Sequence, residues 1–343
     1  MSFKTEPNTI TRWHEFACID GHTCGNPVRL VTSGHPALIG ATMSEKRQDF
    51  IKRFDWVRTA LMYEPRGHDI MSGAFLYPTT RDDCDTGIIY IEVSGCLPMC
   101  GHGTIGTVTL ALEAGLVEPK APGVLVLDAP AGVIKCNYDE KDGKITSVKL
   151  TNVPSYLAKE GLVLDCPDLG KIKVDIAFGG NFYAIIDRQK NFAGLENISA
   201  NDIQRLSPII RKLANEKVEV VHPEDATIKG VSHVMWTGAP TEKGADGKNA
   251  VFYGDKGIDR SPCGTGTSAR MAQLAAKGTL KPGNDYIHES IIGSLFKGRV
   301  EAAAKVGDFE AIVPSITGWA FQTGKNKISV DPADPFWRGF QVK

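Results

Sequence analysis

One short pattern occurs twice in this chain and limits its architecture more than any other feature. Cys100-Gly101-His102-Gly103-Thr104 and Cys263-Gly264-Thr265-Gly266-Thr267 both read Cys-Gly-X-Gly-Thr. Each follows a proline, Pro98 or Pro262, and each runs into an Ala/Leu-rich stretch that closes at a glycine fifteen positions past the cysteine, Gly115 or Gly278. A second pair lies upstream: Cys24-Gly25-Asn26-Pro27 stands 76 residues before Cys100, and Gly179-Gly180-Asn181-Phe182 stands 84 before Cys263. Shared order and spacing imply two similar halves of roughly 160 residues each. The reading divides the chain into residues 12–160 plus 330–343, carrying Cys100, and residues 161–329, carrying Cys263. The functional site is expected between the halves, with one cysteine from each.

A chain of 343 residues can bury the two cores this requires. With 39 basic and 40 acidic side chains it has no basic excess, which argues against binding nucleic acid or an anionic lipid surface. No run approaches about 18 uninterrupted apolar residues, so no membrane span is expected. The opening residues, MSFKTEPNTITRWHEF, lack the apolar stretch of a secretion signal. Eight cysteines in so long a chain are far from disulfide-scaffold density. Free thiols and a cytoplasmic location are therefore expected.

Short β-rich runs dominate: Gly87 to Val93, Gly123 to Ala129, Gly132 to Leu150 and Gly170 to Gly179, then FYAIIDR. Asp142-Gly143 marks a hairpin inside the third run, because Asp-Gly readily supplies positive φ angles. Helices are expected over Met43 to Leu61, Asn201 to Glu219, Thr104 to Ala114 and Thr267 to Ala276. A Rossmann sheet would need regular βα alternation and an early glycine-rich turn, and neither is present.

If a helix begins at each Cys-Gly-X-Gly-Thr, its free backbone N–H groups form a seat for a carboxylate. The same helix end favours thiolate and is expected to lower the cysteine pKa. Two such starts facing one small anion would hold it and place a sulfur on either side. This suits inversion of a stereocentre, in which one group removes the α-proton from one face while another delivers a proton to the opposite face. The carbanion that forms needs donors around the carboxylate in an enclosed site. Asp259, four residues before Cys263, reads either as a turn carboxylate or as the counter-charge of a substrate ammonium. His102 and His233 are candidates to hydrogen-bond the amine or another polar group, and Arg260 is expected to pair with nearby acids.

Other readings account for less. A lone cysteine beside glycines is ordinarily a small buried residue, but that does not explain the repeat. Zinc on Cys96, Cys100 and His102, or a Cys-His hydrolase, leaves the second motif without a purpose. A phosphate loop lacks its Gly-Lys-Ser/Thr ending. His22, His68 and His288 receive no role.

The segments MCGHGTIG at 99–106, DRSPCGTGTSAR at 259–270 and DGHTCGNPVRLV at 20–31 resemble the signatures of the proline racemase family. The resemblance runs from about Phe16 to Val342, and EPRGHDIMSGAFLYP, GGNFYAI and HESIIGSLFKGRV look most like its 4-hydroxyproline 2-epimerase branch. It implies a diaminopimelate-epimerase-like α/β fold, with two pseudo-symmetric halves that each curve a sheet around a central helix and a cleft site between them. Ile328 to Lys343 would return to the first half. By resemblance Cys100 and Cys263 are the acid/base thiols, and the amides of Gly101, His102, Gly264 and Thr265 grip the carboxylate. Asp259 and His102 would lie at the ring nitrogen, and His233 would touch substrate. No metal and no cofactor are implied, the partner is a small imino acid, and a homodimer is suggested. Relatives that dehydrate trans-3-hydroxyproline typically carry threonine at the position of Cys263, so both thiols together favour epimerisation. The implied reaction interconverts trans-4-hydroxy-L-proline and cis-4-hydroxy-D-proline; the alternatives are proline racemase, 3-hydroxyproline epimerase and a non-enzymatic imino-acid-binding protein. No sequence argument places the group that reads a ring hydroxyl.

Overall fold

A computed structural model describes residues 10–342. The first nine residues of the chain, part of the stretch read for a secretion signal, lie outside the described residues, as does Lys343. Strand β1 (His14–Thr23) forms a hairpin with β2 (Asn26–Ser33), and helix α1 (Met43–Met62) crosses over to β3 (Ser72–Tyr77). Next come β4 (Thr86–Glu92), the short β5 (Gly95–Leu97), α2 (Gly101–Glu113), β6 (Val124–Ala129), β7 (Gly132–Lys141) and β8 (Lys144–Thr151). The chain continues through β9 (Ser155–Cys166), β10 (Gly170–Phe178), β11 (Phe182–Ile186), α3 (Ala200–Lys217), β12 (Val231–Gly238), β13 (Gly247–Tyr253), β14 (Gly257–Ile258) and α4 (Gly264–Ala276). It ends with β15 (Asp285–Glu289), β16 (Leu295–Val306), β17 (Phe309–Gly318) and β18 (Ala320–Val330).

The pairing relations repeat. β1–β2 is antiparallel, β2–β3 parallel and β3–β4 antiparallel; β5 folds back on β4, β4–β6 is parallel, and β6–β7–β8 is an antiparallel meander. The series β10, β11, β12, β13, β14, β15, β16, β17 repeats every one of these relations in order. Each parallel step needs a crossover, which α1 and α2 supply in the first series and α3 and α4 in the second.

β9 pairs with β10 and with β17, closing the second series into an eight-stranded ring. The carboxyl-terminal β18 takes the matching place in the first series, running antiparallel to β1 from Ala320 to Val330. β17 serves both rings: Ala311 and Ile312 pair with β9, whereas Ser315–Gly318 pair with β8. The sequence reading assigns Ile328 to Lys343 to the first half, and the strand that pairs with β1 begins at Ala320. Residues 160 and 329, where the sequence reading divides the halves, fall inside β9 and β18.

Helix α2 lies inside the first ring against β1, β2, β3, β8 and β18, and α4 lies inside the second against β9, β10, β11, β16 and β17. Every residue from Gly101 to Ala111 is buried, as are Gly264 to Ala269. Apart from His102, the residues of these buried stretches are apolar or small, which is the pattern of a helix enclosed by protein. The sheets wrapped around central helices, and the Asp142-Gly143 hairpin with φ 53° and 73°, agree with the sequence reading. Among the described residues no helix is long and apolar enough to cross a membrane.

Candidate active site

Both central helices start immediately after a cysteine, three residues earlier than the helical pattern in the sequence indicates. Cys100 caps α2 in an extended conformation, with φ -141° and ψ 110°. Cys263 caps α4 at φ 62°. A left-handed φ on a side-chain-bearing residue is unfavourable by about 1–3 kcal/mol and is found where surroundings and function require it. Neither cysteine makes a side-chain cap, so the first-turn N–H groups are free to face a ligand.

The glycines let sulfur and backbone come close. A Cβ on Gly103 would lie 2.9 Å from Cys100 Sγ, and one on Gly266 3.0 Å from Cys263 Sγ. Each thiol therefore lies back over its own first turn, close to Gly103 or Gly266. The two helix starts also meet. A Cβ on Gly101 would lie 2.6 Å from Gly264 Cα, and one on Gly264 2.7 Å from Gly101 Cα. The backbones of Gly101 and Gly264 thus abut, with His102 N and Thr265 N beside the contact.

Around this junction, His102 Nδ1 is 3.6 Å from Cys100 Sγ and 3.9 Å from Asp259 Oδ2, while its Nε2 is 3.1 Å from both Ser72 Oγ and Asn26 Nδ2. Asp259 Oδ1 accepts from the Ser261 N–H and hydroxyl, each at 2.8 Å, and the Ser261 hydroxyl accepts from the Cys263 N–H. On the other side Tyr183 Oη is 3.3 Å from Cys263 Sγ and 2.5 Å from Thr265 Oγ1. The His233 ring stacks on Tyr183 at 4.8 Å, and its Nε2 is 3.7 Å from Glu92 Oε1. Every residue singled out from the sequence is brought to this one buried region. Arg260 is the exception among the local expectations: its guanidinium turns to the Ile258 carbonyl rather than to an acid.

The electrostatics reverse one expectation. Burial pushes the Cys100 thiol well above the usual range, and Glu92, Cys263 and Asp259 push it further, against the Gly103 N–H. Cys263 is likewise raised, by burial and then Asp259, against donors from Tyr183, Gly266 and Thr265. A helix end stabilises thiolate only by a modest amount, and here loss of hydration beside two carboxyl groups outweighs it. Both thiols are thus held toward their protonated form. Burial raises the Asp259 carboxyl and lowers His102, and it takes His233 down to about 3, so both imidazoles are neutral at neutral pH. Glu92 is raised by burial to about 8. A cationic nitrogen beside Asp259 would offset the negative field that holds both thiols up.

Several residues of the site carry no strong sequence signal. Glu92 and Tyr183 are of this kind. Asn26 and Asn181, in contrast, lie in the upstream pair of echoed segments, and the structure shows what the echo does. Asn26 Oδ1 accepts from the Arg260 N–H at 3.0 Å, and Asn181 Nδ2 donates to the Met99 carbonyl at 2.8 Å. Each asparagine thus braces the segment leading to the other half's cysteine. His288, unassigned from sequence, lies 2.9 Å from Thr267 Oγ1 within α4. Cys96 belongs to a different apolar cluster from Cys100 and lies beside Arg47. No group of three His, Cys, Asp or Glu among the described residues is placed to hold a metal.

Two sheet-wrapped helices meeting at their amino ends define a known class of fold. A phenazine biosynthesis protein of the PhzF family from Bacillus anthracis superposes with a TM-score of 0.56 at 16% identity, over 93% of this chain and 99% of that one. A hydroxyproline epimerase from Agrobacterium vitis, solved with bound trans-4-hydroxy-L-proline, superposes with a TM-score of 0.88 at 30% identity, over 97% of both chains. Within that class the assignment is specific: the proline racemase family matches residues 18–341, and the chain belongs to that family. It is 63% identical over 327 residues to a 4-hydroxyproline 2-epimerase of Shewanella loihica, covering 95% of this chain and 98% of the relative. It is 60% identical to one of Ancylobacter novellus, covering 96% and 99%.

Proposed function

We propose that the protein epimerises 4-hydroxyproline at Cα, interconverting trans-4-hydroxy-L-proline and cis-4-hydroxy-D-proline without a cofactor. The observation that carries this reading is the abutment of two cysteine-capped helix starts at Gly101 and Gly264, in a chain whose near-full-length relatives bear that activity in their names. In this reading the substrate carboxylate sits on the amides of Gly101, His102, Gly264 and Thr265, and the ring nitrogen faces Asp259 and His102. The Cα–H bond then points at one sulfur and away from the other.

One cysteine, as thiolate, takes the α-proton; the other, as thiol, delivers a proton to the opposite face, and the two exchange roles in the reverse direction. The electron pair left on Cα spreads into the carboxylate, where converging N–H donors stabilise the growing charge. Pairing of the ring nitrogen with Asp259 relieves the field that keeps the thiols protonated. Both thiols are buried, so substrate entry requires the halves to part and close again, and closure excludes water from the carbanion. Eight free, buried cysteines fit a reducing compartment, and we place the protein in the cytoplasm as a homodimer, which light scattering on the purified chain tests.

The direct test is proton NMR of trans-4-hydroxy-L-proline incubated with the protein in deuterium oxide. Deuterium should appear at Cα as the cis-D isomer accumulates, and both Cys100→Ser and Cys263→Ser should lower epimerisation at least about 1000-fold. Full activity in either variant would exclude the two-thiol mechanism.

A further inference from the structure

A 4-hydroxyproline molecule has three polar points, and the site as described partners two of them. The carboxylate has the helix amides and the ring nitrogen has Asp259 with His102. The hydroxyl remains. Among the buried polar groups at the site, Glu92 and His233 face one another without bonding. Glu92 ends β4 of the first half and His233 lies in β12 of the second, at 3% and 4% exposure. Glu92 Oε1 and His233 Nε2 stand 3.7 Å apart, too far for a direct hydrogen bond. A single oxygen can nonetheless lie within about 2.8 Å of both.

We propose that Glu92 and His233 together bind the ring hydroxyl, which makes Glu92 a specificity-determining residue of this site; the inference rests on the hydroxyproline reading above. A hydroxyl both donates and accepts, and it matches a facing pair in which one member accepts and the other donates. His233 is held from behind, with Ser232 Oγ 2.7 Å from its Nδ1. The Ser94 hydroxyl donates to the same Oε1 of Glu92 that faces His233, and a carboxyl oxygen has a second lone pair for a guest hydroxyl. The His233 ring is fixed between Tyr183 and Tyr253, at 4.8 and 6.2 Å.

The pair is electrically suited to a neutral guest. With Glu92 raised to about 8 and His233 lowered to about 3, neither is charged near pH 7. The neighbouring cations are engaged elsewhere: Arg58 donates to the Glu92 carbonyl, and Arg211 to the Ser232 and Gly254 carbonyls. All seven residues of β4 are buried and Glu92 is the only acid among them. A carboxyl at such a position is costly unless it has a polar partner to meet. A ligand without the hydroxyl leaves the pair desolvated and unbridged, which is the situation in which a polar site rejects a smaller analogue.

The test measures kcat/KM for trans-4-hydroxy-L-proline against L-proline, as substrate or competitive inhibitor, in wild type, Glu92→Ala, Glu92→Leu and Glu92→Gln. In the Ala and Leu variants the hydroxyproline-to-proline ratio should fall about 100-fold. The amide of Glu92→Gln still donates and accepts and should hold the ratio within about 5-fold of wild type. Equal losses on both ligands, or an unchanged ratio in Ala and Leu, would overturn the proposal. Failure of the wild type to epimerise hydroxyproline would instead overturn the function it rests on.

Discussion

Substituting Gly101 by alanine tests how closely the two helix starts must approach. The new Cβ would stand 2.6 Å from Gly264 Cα, 2.9 Å from Gly264 C and 3.0 Å from Thr265 N, all backbone atoms. Carbon atoms in contact prefer about 3.5–4.0 Å, so the starts must separate by about 1 Å, and no side-chain rotation can absorb it. The thiols are carried on those same starts, and the carboxylate seat widens with them. A misplacement of about 1 Å in a positioned reaction costs on the order of 100-fold in rate, and kcat should fall by that factor in both directions. The crowding itself should cost about 1–3 kcal/mol of stability, read as a lower denaturant midpoint. Gly324→Ala is the control: nothing lies within 4 Å of its new Cβ, and neither rate nor stability should change. A Gly101→Ala protein with kcat within 3-fold of wild type would refute the argument, because the reaction would then tolerate a wider gap between the sulfurs.

Three further outcomes follow from the same geometry. Folding raises Glu92 from the ordinary range to about 8, so the native state holds a proton that the unfolded chain releases above about pH 4.5. Stability from this group is intact at lower pH and declines as pH rises toward 8, by a few kcal/mol at most; Glu92→Gln should therefore melt progressively higher relative to wild type between pH 5 and pH 8 (roughly the window set by those two values), and a constant difference would refute the shift. Asp259 is an anionic neighbour of both thiols, so Asp259→Asn should speed their alkylation by iodoacetamide several-fold at fixed pH while lowering kcat/KM at least about 100-fold. Slower alkylation would show that Asp259 does not hold the thiols protonated. Removing the Asn181 brace by Asn181→Ala should cost about 1–2 kcal/mol in chemical unfolding, with a larger fall in kcat than the same stability loss introduced at a distant core position.

What the sequence discloses, and what it conceals, separates along a physical line. Local signals survive translation into structure: Asp142-Gly143 makes its turn, and the apolar periodicity after each cysteine makes a helix. The paired motif also reveals the two-fold repeat, because each copy performs the same local task, starting a buried helix after a thiol. The earlier start of both helices is less visible, since glycine is a poor helix former. Glycine stands at 101, 103, 264 and 266 because the close approach of thiol and partner backbone requires the absence of a Cβ.

The remaining members of the site are fixed by strand register across two rings, which no local pattern encodes. Tyr183 lies beside His233 because β11 pairs with β12, it reaches Cys263 because β11 packs on α4, and Glu92 reaches His233 from the opposite half. A signal for Glu92 was nevertheless present, as the one acid in the apolar run Gly87 to Val93. An ionisable group there must find a polar partner or stay neutral; the Ser94 hydroxyl donates to Glu92, and burial raises its carboxyl. The thiol pKa values show the same division. A helix amino end is a local property and argues for thiolate, whereas burial appears only when both halves enclose the pair, and it decides the sign. In the proposed mechanism a cation beside Asp259 offsets the charge that raises both thiols, which would tie formation of the base to arrival of a substrate carrying both a carboxylate and a positively charged nitrogen.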